Sequence, residues 1–513
     1  MLKRKYGQID IFNQMMFDSL VPKDHLLVKI DSIIDFSFVY DIVKDEYSDK
    51  GRGSCDPVVM TKLCLLEYLY TLSDRKVRER AQTDIAFRWF LGLNLDDPLP
   101  DDTTISHFRI NRMGPNGFEE FFNEIVRKCI ELDLVKERRY LIDTTNVDAD
   151  SNYPSVRKLI CLSFSKVIKE VRKFNFPLAK AIERQFNAAI DALTVETGTA
   201  RTNEFISIAN NALAELYLVT VPEFESNDKY RNACKLISDI IDQYGNGKKD
   251  KIVSIVDPDA RVAYKSHGNA KVGYKDHIIV DEDSEIIISS VQTPFNVNDE
   301  KKLEDLVEKA ETIFGLKPKE ISADKAYGTI KNRAFLKDQE IVCNINFYEE
   351  SIKERTSYGI RVFIIADDAK SITCPNGITT KEYNVTFDKT KDMELRTFKF
   401  SNEDCAKCPL REACIDKTKS GKIRSKHKTL RLTRRHDAMY RDLKRTETSE
   451  FKIAMNKRYI VERRFATLVR NHGLRRCRYR KLPRAIIHIT LANTACNIIR
   501  MIKLLFHPSV CAT

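Results

Sequence analysis

The sequence predicts an α/β protein in which helical segments surround a mixed sheet. Apolar residues follow a helical spacing over residues 1 to about 135. Further along, short apolar runs typical of strands alternate with helical patterns, and an acidic turn at residues 281–284 joins two of these runs as in a β-hairpin. The predicted strands are 272–280, 285–291, 320–324, 341–345 and an earlier one that opens the stretch 138–150 and leads into its acidic cluster.

Length and composition predict a large globular protein. The chain has 513 residues, which is long enough for two to four domains, and it is 42% hydrophobic and 31% charged. The start of the sequence lacks the apolar core of a signal peptide, and the apolar segment 485–506 is interrupted by polar residues. We therefore expect a cytoplasmic protein with no membrane span.

Residues 1–135 are predicted to form a helical DNA-binding domain. Asp56-Pro57 and Ser73 each predict a helix start, because these side chains cap free backbone N–H groups. A further helix, Ile105–Arg112, is expected after a cap at Asp102–Thr104, with Arg109 and Arg112 facing outwards. Such a helix fits a helix-turn-helix recognition element, and it equally fits a capped helix with a solvated basic face.

Most of the net charge lies in one late window. From Phe451 to Arg484 there are twelve Lys or Arg and one acid, Glu462, which gives +11 of the total +12. Charge of this density requires an anionic partner or open water, and nucleic acid is the expected partner. The predicted DNA contacts in this window are Arg458, Arg463, Arg470, Arg475, Arg476, Arg478 and Arg480.

Glu462 lies in a helical pattern that starts near Arg458 and is expected to stop at Gly473. A single carboxylate among arginines suggests a metal ligand placed between phosphate-binding cations. The alternative is that Glu462 only forms ion pairs with Arg458 and Arg463.

Two predicted strands end in aspartates, Asp143 and Asp324. Carboxylates at a sheet rim, together with Glu462 on a helix above them, would form a set of oxygen ligands suited to Mg²⁺. Two such ions about 4 Å apart could activate an attacking oxygen and stabilise a leaving one in phosphodiester transfer. Each aspartate alone could instead be a turn or cap residue. Asp143 is preferred because it directly follows the apolar run 140–142, whereas the rival carboxylates do not: Asp148, Asp150, Asp257, Asp259 and Asp276.

The long interruption between 345 and 455 contains four cysteines, Cys374, Cys405, Cys408 and Cys414. Four soft ligands in a polar segment predict a structural zinc site, and free thiols are the alternative. The remaining nine of the thirteen cysteines are scattered, which argues against a disulfide framework. Two more helical segments are expected, an insertion at about 151–250 and a core helix over 485–506.

The order of these motifs resembles that of the DDE transposases of bacterial insertion sequences, in the branch with an N-terminal helical domain and a cysteine-rich insert. The resemblance rests on Leu141–Thr145, Val272–His277, Ser322–Gly328 and Arg458-x-x-x-Glu462, and it spans the chain apart from 151–250. In the family's glutamate motif a tyrosine stands where this chain has Met455 and a lysine where it has Val469.

The resemblance implies an RNase H-like core divided into 136–345 and 449–513, with the cysteine-rich insertion at 346–448. It implies that Asp143, Asp324 and Glu462 bind two Mg²⁺ or Mn²⁺ ions, and that the protein cleaves and joins DNA strands at terminal inverted repeats. A homodimer acting on double-stranded DNA is expected. The alternatives are a non-catalytic DNA-binding derivative and an RNase H-like nuclease without strand transfer.

Overall fold

A computed structural model gives the structure of the protein. It describes residues 2, 4, 6–48, 50, 53–136, 138–193, 198–218, 224, 226–248, 250–264, 270–347, 358–366, 368, 370–388, 393–415, 417, 422, 423, 425–433 and 436–506. The predicted insertion 346–448 therefore lies partly outside the described residues.

A six-stranded mixed sheet forms the centre of the fold. Its strands are β1 (Arg139–Asp148), β2 (Arg261–Tyr264), β3 (Ala270–Asp281), β4 (Ile287–Pro294), β5 (Glu320–Ala323) and β6 (Val342–Ile345). The long strand β3 pairs antiparallel with β1 on one side and with β2 and β4 on the other, while β1, β5 and β6 run parallel. The predicted hairpin and mixed sheet are confirmed.

Eight helices precede the sheet within the described residues, and their starts follow local capping rules. They are α1 (Ile11–Leu20), α2 (Leu26–Ile33), α3 (Val39–Val43), α4 (Pro57–Leu69), α5 (Asp74–Thr83), α6 (Ile85–Leu91), α7 (Asp102–Phe108) and α8 (Gly114–Glu131). Asp56 accepts from Val58 N–H and Ser73 from Lys76 N–H, as predicted. The cap of α7 is Asp101, one residue before the predicted position.

The insertion after β1 is helical and has a hydrophobic core of its own. It contains α9 (Val156–Val171), α10 (Phe176–Asp191), α11 (Gly198–Leu218) and α12 (Asp228–Gly245). The sheet then continues with α13 (Leu303–Phe314) and α14 (Ile330–Asp338) between its later strands.

The cysteine-rich region forms a third hydrophobic cluster around two small sheets. Its strands are β7 (Ile364–Ile365), β8 (Ile372–Thr373), β9 (Thr379–Thr380), β10 (Tyr383–Asp388), β11 (Met393–Lys399) and β12 (Thr429–Thr433), and its helices are α15 (Asn402–Lys407) and α16 (Arg411–Cys414). The chain returns to the main body through α17 (His436–Arg445), α18 (Ser449–Asn456), α19 (Tyr459–Asn471) and α20 (Leu482–Phe506).

The last helix, α20, lies inside the main hydrophobic cluster. It contacts α4 and α8 on one side and β3 and β4 on the other, so one continuous core joins the N-terminal helices to the sheet. Asn497 on α20 accepts from Ile287 N–H and donates to Ile287 C=O, which satisfies backbone groups of β4. The domain boundary predicted at residue 135 stays a prediction.

Among the described residues, α20 is also the one helix long and apolar enough to cross a membrane. However, 83% of its most apolar stretch is buried in the protein. That is the environment of a core helix, and its asparagines are paired within the fold.

Candidate functional site

Asp143 lies inside β1. The antiparallel partner β3 pairs with β1 as far as Asp148, so the prediction that the strand ends at Asp143 is wrong. The parallel partner β5, however, pairs only with Arg139–Ile142. Asp143 is therefore the first residue of β1 beyond the end of β5.

Asp324 directly follows β5, whose last residue, Ala323, pairs with Ile142. Asp143 and Asp324 thus each follow the last paired residue of two neighbouring parallel strands, and both lie at the same edge of the sheet. Asp324 also opens a short 3-10 turn, Lys325–Tyr327, and its carboxylate is 45% exposed.

Glu462 lies in the first turn of α19 and is exposed. The opposite face of α19 is buried against the core, and the helix contacts β1. The helix ends at His472, followed by Gly473 with φ +67°, so the predicted glycine stop is confirmed.

The hairpin turn at residues 281–285, here called the acidic turn, anchors α19. Lys457, just before the helix, lies 2.5 Å from Glu282, and Glu285 is paired with Arg463 and Arg464 on α19. Arg500 on α20 lies 3.2 Å from the same carboxylate. The Glu285 side chain is only 6% exposed, so these pairs form in partly dry surroundings and hold α19 over the sheet.

An open cleft of about 430 Å³ lies between α19 and β1. It is lined by Asp143, Thr144, Glu462, Phe465, Ala466, Val469, Arg470 and Arg475. The structure therefore brings Asp143 and Glu462, separated by more than three hundred residues in sequence, to one surface depression.

The three predicted carboxylates share one electrostatic environment. Burial raises the pKa of Asp143, the negative charges of Asp324 and Glu462 add to this rise, and the resulting pKa is about 6. The Thr144 N–H and the Arg458 guanidinium oppose this rise in pKa. Interaction of one carboxyl with both others is the pattern expected of a shared acidic site.

Arg458 lies between the two aspartates. Its Nη2 is 3.5 Å from Asp143 Oδ2, and its Nη1 is 3.6 Å from Asp324 Oδ1. Its Nε is buried and has no hydrogen-bond partner within the described part of the chain. The positive guanidinium thus lies between Asp143 and Asp324, where these two carboxylates would otherwise attract another cation.

Within the described residues, no group of three or more His, Cys, Asp or Glu side chains is close enough in this arrangement to hold a metal ion. The donors are nonetheless all carboxylate oxygens, which suit hard cations such as Mg²⁺. Binding of a cation between Asp143 and Asp324 would require the Arg458 side chain to move.

The four predicted zinc ligands come together around one small cavity. Cys374, Cys405, Cys408 and Cys414 all line a space of about 30 Å³. Burial raises the pKa of the Cys414 thiol, Lys428 opposes this rise, and the other three thiols add to it. The thiols are thus neighbours, although they are not arranged at ligand distances.

The position of Arg109 contradicts its predicted role as an outward-facing DNA contact. Its side chain is 2% exposed, lies 2.7 Å from Glu67 and 3.1 Å from Asp74, and packs on the ring of Tyr479. It faces the core, because it follows the buried Ile105 by four residues and so lies on the same face of the helix. Its role is to join the N-terminal helices to the late basic segment.

Two further arginines predicted to contact DNA form contacts within the protein. Arg478 donates to Leu72 C=O, lies 3.7 Å from Glu67 and stacks on Tyr68. Arg112 donates to Glu46 C=O and packs on a tyrosine ring. These arginines stabilise tertiary contacts.

Of the other predicted arginines, Arg463 is paired with Glu285 of the acidic turn, whereas Arg470 and Arg475 line the cleft. Arg470 is exposed at its wall, and Arg475 donates to Asn146 C=O at 2.7 Å. The Arg476 side chain is 83% exposed, and Arg480 lies 3.2 Å from Asp150. Fewer arginines are thus exposed at this edge of the sheet than the basic segment 451–484 suggests.

Two rival carboxylates have structural roles. Asp276 is fully buried and accepts hydrogen bonds from Ser290 and Asn493. Asp257 is also buried, and it accepts from Tyr274 and from the Lys481 N–H ahead of α20. Neither belongs to the cleft.

The sequence reasoning missed residues that support the site from within the sheet. Tyr327 is 1% exposed, and its hydroxyl lies 2.5 Å from Thr144 Oγ1. His277 lies opposite Thr144 in the β1–β3 register and is hydrogen-bonded to it. Their presence in the motifs 272–277 and 322–328 is the signal that could have identified them.

Comparison with known families gives two matches. Residues 15–111 match a family described as "Transposase domain (DUF772)", and residues 373–502 match one described as "Transposase DDE domain". The second match includes Glu462 and the four clustered cysteines, whereas Asp143 and Asp324 lie between the two matched regions. No solved structure matches the chain. Both matches are to transposase families, and they support the resemblance of the chain to the DDE transposases of insertion sequences.

Proposed function

We propose that the protein is a metal-dependent transposase that binds the terminal inverted repeats of its element and catalyses DNA strand cleavage and transfer. The observation that carries this proposal is the convergence of Asp143, Asp324 and Glu462 at one edge of the sheet, beside a cleft with exposed arginines. The strand order β4-β3-β1-β5-β6, with three antiparallel and then parallel strands, supports an RNase H-like core.

Asp143, Asp324 and Glu462 would hold two Mg²⁺ or Mn²⁺ ions. When bound, such ions activate an attacking oxygen and stabilise the leaving oxygen in phosphodiester chemistry. The chain's own contribution is to hold the three carboxylates at one rim and to keep α19 in place through the acidic turn. Arg470, Arg475 and Arg476 would contact the DNA backbone at the cleft, and synapsis of two ends would require a homodimer.

Neutral isosteres of the three carboxylates test this proposal. We expect Asp143→Asn, Asp324→Asn and Glu462→Gln each to reduce cleavage of an end-bearing duplex in Mg²⁺ by at least about 10³-fold, as loss of one member of a catalytic set does. Binding to the same duplex, measured by gel shift, should change little. Glu308→Gln on the exposed face of α13 is the matched control.

The alternatives predict different products. Cleavage without joining of the end to a target duplex would indicate an RNase H-like nuclease. Binding without cleavage by the unsubstituted protein would indicate a non-catalytic derivative. Retention of cleavage by any isosteric variant would remove that residue from the site.

We also propose a structural zinc ion held by Cys374, Cys405, Cys408 and Cys414. The support is that all four thiols line one cavity in a region with a small core, where a metal adds folding free energy. The four thiolates would hold the ion as a closed structural site.

Metal analysis of the purified protein tests the zinc proposal. We expect one zinc per chain, lost in Cys405→Ser and Cys408→Ser and kept in Cys161→Ser, which changes a cysteine of the helical insertion. Absence of zinc from protein purified without chelator would leave the four cysteines as free thiols.

A further inference from the structure

A row of four hydrogen-bonded side chains, here called the hydrogen-bond row, crosses the sheet beside the two aspartates. Tyr327 Oη lies 2.5 Å from Thr144 Oγ1, and Thr144 Oγ1 lies 2.8 Å from His277 Nδ1. The other ring nitrogen, His277 Nε2, lies 2.9 Å from Thr293 Oγ1. Tyr327, His277 and Thr293 are all buried.

The hydrogen bonds of this row share one direction of donation. Burial raises the pKa of Tyr327 well above its ordinary value, and burial, followed by the charge of Lys275, lowers the pKa of His277 to about 3. Both groups are neutral near pH 7, and a neutral imidazole has one donor and one acceptor nitrogen. If Tyr327 donates to Thr144, then Thr144 donates to His277 Nδ1 and His277 Nε2–H donates to Thr293. The reverse direction would leave the Tyr327 hydroxyl proton without an acceptor among the described residues.

The hydrogen-bond row joins the two segments of the polypeptide that carry the aspartates. Thr144 directly follows Asp143, and Tyr327 ends the short turn that Asp324 begins, with Tyr327 N–H donating to Asp324 C=O at 2.9 Å. Backbone pairing between β1 and β5 stops at Ile142 and Ala323, before either aspartate. Beyond that point, the Thr144–Tyr327 hydrogen bond fixes one segment against the other.

The separation of two carboxylates decides whether they can bind one cation together. A ligand displaced by a fraction of an ångström loses much of its contribution, and groups behind metal ligands commonly change affinity by about 10- to 100-fold. His277 contributes by fixing the direction in which the Thr144 hydroxyl donates, which leaves the Thr144 oxygen free to accept from Tyr327.

We propose that Thr144, Tyr327 and His277 are positioning residues that set the distance between the Asp143 and Asp324 carboxylates and so the affinity of this site for a divalent cation. The inference rests on the proposed function, because it assumes that these aspartates bind metal. None of the three residues is proposed to touch the DNA or the reacting atoms.

A pair of substitutions at Thr144 separates the hydroxyl from the rest of the side chain. Thr144→Val keeps the shape and removes the hydroxyl, whereas Thr144→Ser keeps the hydroxyl. We expect Mn²⁺, titrated into the DNA-free full-length protein and followed by electron paramagnetic resonance, to bind about 10- to 100-fold more weakly to Thr144→Val and Tyr327→Phe. Thr144→Ser should stay within about threefold of the unsubstituted protein.

Thr145→Val is the matched control, since Thr145 is the next residue of β1 and its hydroxyl makes no hydrogen bond within the described part of the chain. Melting temperatures measured in chelator identify any variant that fails to fold, and Tyr327→Phe tests the same hydrogen bond from its other end. In the cleavage assay, Thr144→Val should need more metal for half-maximal rate and recover most of the maximal rate at saturating Mn²⁺.

The outcomes distinguish this inference from the function on which it rests. If Asp143→Asn weakens Mn²⁺ binding but Thr144→Val and Tyr327→Phe do not, the positioning role is overturned and the proposed function stands. Equal weakening by Thr144→Ser and Thr144→Val would also overturn it. If Asp143→Asn itself leaves Mn²⁺ binding unchanged, the proposed function fails, and this inference fails with it.

Discussion

At the scale of single residues, the electrostatics of the site depend on Arg458. Its guanidinium lies within 3.6 Å of both aspartates and balances charge that would otherwise be unfavourable at this partly buried rim. The same position makes it a competitor for any cation that binds there. The sequence predicted Arg458 as a DNA contact, and a side chain displaced by metal would be free to take that role.

Removal of this guanidinium should therefore increase metal affinity. We expect Arg458→Ala to bind Mn²⁺ about tenfold more tightly than the unsubstituted protein, and Arg458→Lys to lie between the two. The titration should be made at pH 8, where Asp143, with a pKa of about 6, is ionised. Weaker Mn²⁺ binding by Arg458→Ala would mean that the arginine supports the metal site and does not compete with it.

At the scale of secondary-structure elements, the acidic turn fixes the helix that carries Glu462. Glu285 is paired with Arg463 and Arg464 on α19 and with Arg500 on α20, and Arg464 and Arg500, 7% and 11% exposed, would stay buried without it. Uncompensated buried charge is more costly than the loss of an exposed ion pair. The position of Glu462 over the sheet therefore depends on a turn distant from it in sequence.

Substitution in this turn should destabilise the protein strongly at one position and weakly at another. We expect Glu285→Ala to lower the free energy of unfolding by about 3 kcal/mol, because it leaves buried arginines unpaired. Asp283→Ala, in the same turn but 54% exposed and paired with Arg138, should cost less than about 1 kcal/mol. Chemical denaturation followed by circular dichroism measures both, and equal effects would contradict an anchoring role for Glu285.

At the scale of the whole molecule, three hydrophobic clusters divide the chain unequally. The helical insertion and the cysteine-rich region each have their own cluster, whereas the N-terminal helices, the sheet and α20 share one. The buried pair of Glu67 and Arg109, joined by Arg478, adds a polar link between the beginning and the end of the chain. The N-terminal helices and the six-stranded sheet are therefore expected to fold together.

Isolated fragments should reflect this division. We expect residues 151–250 produced alone to be helical and to melt cooperatively, because their hydrophobic cluster lies within them apart from Ile252 and Ile255. Residues 1–135 alone should not, since α4 and α8 would lose their contacts with α20. Circular dichroism with thermal melting measures both fragments, and a cooperative melt of 1–135 would contradict the shared core.

The sequence by itself determined the features that depend on neighbouring residues and on motif order. The caps at Asp56 and Ser73, the glycine stop after α19 and the hairpin follow from local hydrogen bonding and backbone conformation. The choice of Asp143, Asp324 and Glu462 came from strand patterns together with a family resemblance, and the structure brings these residues to one edge of the sheet.

Only the tertiary structure decided which charges face solvent and which support the fold. Arg478 could not be recognised as internal, because its partner Glu67 is distant in sequence. The four-residue spacing from Ile105 puts Arg109 on a buried face, but the ion pair with Glu67 that accommodates its charge there is long-range. Likewise, the extension of β1 past Asp143 depends on β3, and the link from Thr144 to Tyr327 exists only once β1 and β5 lie side by side. Local interactions set these elements, whereas long-range pairing set the roles of their side chains.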